Sequence, residues 1–125
     1  MDKEYLKELY NRVQSGDVLS TTEIKMVVAY QKMEEYGHDW IEIDNCKGID
    51  GAELISIMKK INVEEIFIDR EWSNQFENWY NMQESGLEMV GMKKINDPIY
   101  IHDMKKWGNS SNKETKIVLV FRLKK

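Results

Sequence analysis

Apolar residues recur at helical spacing through the first third of the chain and then switch to alternation. Residues 2–14 place Leu6, Leu9, Tyr10 and Val13 on one stripe, the spacing of an amphipathic helix. Ser15-Gly16-Asp17 stops it, with Gly suited to the left-handed position after a last turn. Ser20-Thr21-Thr22-Glu23 reads as a capping box, the Ser hydroxyl taking a backbone amide and the Glu reaching back. The helix behind it ends near Gly37. It carries Ile24, Val27 and Val28 on one side and Met26, Tyr30 and Met33 on the other, so it needs cover from two directions. The first 36 residues therefore predict a helical hairpin with a connection of about five or six residues.

From His38 the period becomes two. Trp40-Ile41-Glu42-Ile43-Asp44 predicts a short strand over 40–44, with Ile41 and Ile43 inward and Glu42 and Asp44 outward. Asp50-Gly51-Ala52-Glu53 is a second capping box, opening a helix with Leu54, Ile57, Met58 and Ile61 on one face. Residues 63–70 predict the next strand. Ser73 caps a helix with a Phe76, Trp79, Tyr80 stripe, closed by Gly86, and Leu87–Ile95 follows as a strand broken by Asp97-Pro98. Ile99–His102 suits a short edge strand, and residues 108–112 form a loop. In residues 115–123, Ile117, Leu119, Phe121 and Leu123 face one way and Val118 and Val120 the other. Apolar occupancy on both faces places this strand inside a sheet.

Strands alternating with helices predict an α/β fold, with α+β as the variant: a helical hairpin, then β-α-β-α-β, then a closing antiparallel strand. The sheet would be mixed, of four or five strands, with parallel neighbours joined by helical crossovers. A length of 125 residues predicts one domain, the hairpin 1–36 packed on a core built from 38–125.

Composition adds limits. Apolar types make up 42% of the chain, enough to pack a core at this size and against intrinsic disorder. The longest apolar runs, Met26–Tyr30 and Ile117–Phe121, are too short to span a bilayer, and the charged Met1–Lys7 stretch does not suit a secretory signal. A single cysteine rules out an internal disulfide framework and predicts a cytoplasmic protein. Fifteen Lys against three Arg, with only two Ala and one Pro, suggest an AT-rich genome.

Charge is uneven. Residues 1–33 are neutral, residues 34–90 carry a net −10 and residues 91–125 a net +6. Cross-strand pairing between the acidic and basic stretches is the simpler reading. The other leaves an acidic surface that attracts a basic partner. The paired lysines of the basic end, in an acidic chain, disfavour direct nucleic-acid binding.

One stretch carries a resemblance. It runs from Ile66-Phe67-Ile68 through Ser73, Phe76-Glu77-Asn78 and Ser85-Gly86 to Val90-Gly91-Met92-Lys93-Lys94-Ile95. Residues 66–95 resemble part of a group of small uncharacterised phage and prophage proteins. The resemblance implies a phage or mobile-element origin and supplies no activity and no catalytic residue.

If strands 40–44 and 63–70 are parallel, their carboxyl ends lie side by side, where open α/β sheets bind ligands. Asp44, Cys46, Lys47, Asp50, Asp69 and Arg70, with Glu71 and Trp72, would then share a rim. Cys46 has no base placed beside it and reads as a buried, inert thiol. Gly48 and Gly51 match neither a Walker loop nor a dinucleotide fingerprint. His38, Asp39, Cys46, His102 and Asp103 have no metal-ligand spacing, and the Asp44–Asp50 loop fails the calcium pattern, so neither a metal nor a cofactor is expected. Trp72, beside Arg70 and Glu71, suits an interface anchor. Trp107, in a Lys-rich stretch, is open to the same reading.

Small size, acidity and the lack of a catalytic motif favour a non-enzymatic binding protein, an inhibitor or accessory factor contacting a protein partner. Glu64, Glu65, Asp69, Glu71, Trp72 and Glu77 are the candidate partner-facing residues. The rival is a small-molecule or nucleotide-binding domain, with catalysis open to it, using the rim. A third reading is a homodimer formed through the spare apolar face of helix 20–36.

Overall fold

A computed structural model describes residues 1–44, 46–69, 82–97 and 115–124. Its elements are α1 (Glu4–Gln14), α2 (Thr21–Tyr36), β1 (Glu42–Ile43), α3 (Gly51–Lys60), β2 (Glu65–Asp69), β3 (Leu87–Asn96) and β4 (Thr115–Leu123). The fold is α/β with a mixed four-stranded sheet in the order β1-β2-β4-β3. The expected helix from Ser73, edge strand 99–102 and loop 108–112 lie outside the described residues, although residues 82–84 are helical and lead into Gly86. Among the described residues, no helix is long and apolar enough to cross a membrane.

The hairpin forms as its spacing predicts. Ser20 caps α2 by accepting from the Glu23 amide at 3.1 Å, and Glu23 accepts from the Ser20 amide at 2.9 Å. Gly37 closes α2 in the left-handed region, with φ at 75°, a conformation that costs Gly little. The two apolar sides of α2 are covered separately. Val27 buries with Leu9 and Leu19, while Met26, Ala29 and Met33 enter the main core. Ile24 and Val28, on the same side as Val27, remain exposed, so that side is covered only in part.

The second capping box forms by half. Asp50 caps α3 by accepting from the Ala52 and Glu53 amides. Its own amide donates instead to the Thr22 hydroxyl at 2.8 Å, and Glu53 accepts from the Ser20 hydroxyl at 2.5 Å. The amino ends of α2 and α3 thus satisfy each other, and the acids Glu23, Asp50 and Glu53 sit where both helix dipoles favour negative charge. Gly48 turns beneath them at φ 80°, and a Cβ there would lie 2.9 Å from the Thr21 methyl. Close approach and backbone conformation both require glycine at that position.

β1 and β2 are parallel, joined through α3, with Glu42 opposite Phe67 and Ile43 opposite Ile68. β1 is shorter than the alternation over 40–44 predicts. The closing strand pairs antiparallel with β2 and also with β3, so it inserts between them. β2 and β3 therefore run the same way without touching. β4 is interior, and its side chains divide as expected. Leu119 and Phe121 join Ile66, Ile68 and the residues of the three helices in one core, while Val118 and Val120 bury with Phe67, Ile95 and Trp40 on the opposite face.

That second face overturns one expectation. Glu42 points away from Ile41 and Ile43, as alternation requires, yet it is only 2% exposed. Alternation gives the side of a strand and leaves open whether water lies there. Both faces are buried around β1 and the middle of β4, and there Glu42 forms an ion pair with Lys116.

Candidate functional site

The best-defined exposed electrostatic feature lies where β2 and β3 begin and β4 ends. Register sets Arg122 opposite Glu65 on one side and Glu88 on the other. The guanidinium donates to Glu65 at 2.7 Å. This bond holds Arg122 above its ordinary pKa, and the charges of Glu64 and Glu88 add to the effect. Leu123 donates its amide to the Glu64 carbonyl at 3.0 Å, fixing the corner. Lys124 is tied to the turn before β3, its amide donating to the Gly86 carbonyl and its ammonium to that of Gln83. Glu65 therefore pairs with the guanidinium at an exposed sheet end, Glu64 and Glu88 act on it through their charge, and Lys124 is the second cation at the corner.

Asp69, a further candidate, is placed away from this corner. Asp69 ends β2, about 13 Å from Glu65 at ~3.3 Å per strand residue. It lies 3.9 Å from the Lys116 ammonium. Glu71, Trp72 and Glu77, like Trp107, lie outside the described residues. Acidic and basic segments do pair across strands at Glu65–Arg122 and Glu42–Lys116, so part of the acidic block is neutralised by the basic end.

The rim residues have separate tasks. Asp44 accepts from Lys32 of α2 at 2.5 Å. Asp50 is committed to capping α3, Lys47 is exposed, Asp69 belongs with Lys116, and Arg70 lies outside the described residues. Cys46 is fully buried in the main core, and burial pushes its thiol up from the usual range. Cys46→Ser is accordingly expected to leave partner capture unchanged while lowering stability by about 1–3 kcal/mol, the cost of a buried hydroxyl. Loss of capture by a variant that still folds would give the thiol a direct role.

A second cluster escaped the sequence reading. On the face opposite the helices, Lys116 joins Glu42 and Asp69, and Trp40 donates its indole N–H toward Glu42 at 3.5 Å. Burial pulls the Lys116 ammonium down. The hydrogen bond and charge of Glu42, with Asp97 and Asp69, more than offset that and hold its pKa above the ordinary value. His38 stacks on Trp40, with ring centroids 4.3 Å apart and planes 17° from parallel. The available signal was parity, since Lys116 shares a face with Val118 and Val120. Among the described residues, no group of three or more His, Cys, Asp or Glu side chains is arranged to hold a metal ion.

A family model described as a domain of unknown function, DUF7698, matches residues 25–123. No curated protein matches the chain, and no solved structure does.

Proposed function

The chain belongs to the DUF7698 family, and we propose that it is a small non-enzymatic binding protein that takes a basic protein partner at the acidic end of its sheet. The observation that supports this reading is the grouping of Glu64, Glu65 and Glu88 around Arg122 at an exposed corner, three carboxylates against Arg122 and Lys124. A cationic surface meeting that corner gains long-range attraction, and the fixed strand register orients the contact. The proposal includes a cytoplasmic setting, from the single cysteine, and a phage or mobile-element origin, from the resemblance of residues 66–95. In that setting the protein acts as an inhibitor or accessory factor. The dispersal of Asp44, Cys46, Asp50 and Asp69 into separate tasks weighs against the small-molecule reading.

The test is capture of a partner from lysate of the source organism by immobilised protein, with the captured protein identified by mass spectrometry. Capture is expected to weaken as salt rises, because exposed charges are screened. Glu64→Lys combined with Glu65→Lys is expected to slow association about tenfold or more at low salt. Trp72→Ala, if Trp72 anchors the contact, speeds dissociation instead. Capture that ignores both salt and charge reversal removes the acidic corner as the mechanism.

A further inference from the structure

We infer that His38 is a proton-operated latch, held neutral against Trp40 and driven off that stack when it takes a proton. His38 follows the Gly37 turn that ends α2 and is only 9% exposed. Among the described residues, neither ring nitrogen has a hydrogen-bond partner of normal geometry. A neutral imidazole carries one donor and one acceptor, and leaving both unmet in a buried site is costly. What holds the ring there is the stack on Trp40, which itself tilts against Phe67 with centroids 6.5 Å apart.

An imidazolium meets a different site. Glu42 and Asp39 attract it and Lys116 repels it, while the Trp40 backbone lies close enough to favour a proton. Glu42 is already engaged by Lys116 and by the Trp40 indole, and Asp69 and Asp97 act on Lys116. Lys93 of β3 lies over the Phe67 ring beyond them. Glu42 can turn to His38 only by breaking the buried pair, and Asp39, next in the chain, is exposed to water. Burial outweighs the attractive charges and lowers the proton affinity of the ring. Protonation is relieved by rotating the imidazole into water, which unstacks Trp40 and loosens the entry to β1.

Below the ordinary histidine value of about 6.5, the unfolded chain binds a proton that the folded molecule resists. Stability is therefore complete above that pH and falls as pH drops toward the lower folded value. The experiment follows the two histidine ring signals and the Trp40 indole N–H by NMR as pH is lowered. The His38 signals are identified by their absence in His38→Phe, and the Trp40 signal by its absence in Trp40→Phe. In the wild type the His38 signal is expected to titrate below an ordinary histidine, and the Trp40 resonance to move with the same midpoint. In His38→Phe the Trp40 resonance is expected to stay in place over that range. A Trp40 signal that ignores the His38 titration overturns the latch, as does one that moves equally in His38→Phe or a His38 that titrates at the ordinary value. The wild-type titration decides the matter even if the variant folds poorly.

Discussion

Replacing Phe121 by Ala is expected to lower the free energy of unfolding by about 3–5 kcal/mol, the range for removing a large buried aromatic. Phe121 is fully buried and sits in register with Ile66 on one neighbour and Met89 on the other. Its ring lies in the core that α1, α2 and α3 share with the sheet, so truncation leaves a void bordered by several elements. A cavity so bounded closes poorly, because β4 is pinned on both sides by hydrogen-bonded strands. Urea denaturation followed by circular dichroism measures the loss. A midpoint equal to wild type would place Phe121 outside the core.

Comparable damage is expected from Lys116→Ala, for an electrostatic reason. Removing the ammonium leaves the nearly inaccessible Glu42 carboxylate without its cation, and breaking a buried pair from one side costs about 3–5 kcal/mol. Asp69 loses the same counter-charge. The double replacement Glu42→Leu with Lys116→Leu is expected to recover most of the loss, since an apolar pair carries no desolvation penalty. A double-mutant cycle, adding Glu42→Leu alone and Lys116→Leu alone, separates coupling from lost packing. Additive effects would show that the pair contributes nothing as a pair. Because Lys116 titrates above its ordinary value, its contribution persists at neutral pH and disappears only as pH rises through the alkaline range.

How far the chain could be read follows from the range of each interaction. The Ser20–Glu23 box, the Gly37 stop and the two-faced β4 depend on neighbours within one element, and residue spacing carries that information. The Asp50 box has the same spacing as the Ser20 box, but Thr22 and Ser20 supply alternative partners that only the packed helices bring near. Alternation sends Glu42 to solvent only where a sheet has one exposed face. The apolar Val118 and Val120 already implied a buried second face. What lay beyond the sequence was the insertion of β4 beside β2, which brings Lys116 across 74 positions to Glu42. The stack of His38 on Trp40 has no residue pattern of its own. The rim failed because capping, core burial and an ion pair to α2 each claimed one of its members.

The interlocked helix starts bear on what can be inherited as a unit. The family match opens at Lys25, inside α2, and leaves the preceding residues unmatched. Yet Ser20 caps α2 and binds Glu53, Thr22 holds the first amide of the α3 cap, and the Asp2 amide donates to the Ile61 carbonyl at the far end of α3. Leu6 lies in the same core as β2 and β4. A recombination joint at residue 25 would therefore cut through a helix and orphan polar groups on both sides of it. Relatives that diverge before this point face a narrow choice. They must replace the leading segment with another that presents a hydroxyl pair and an apolar stripe to α3, or rebuild the start of α3 itself.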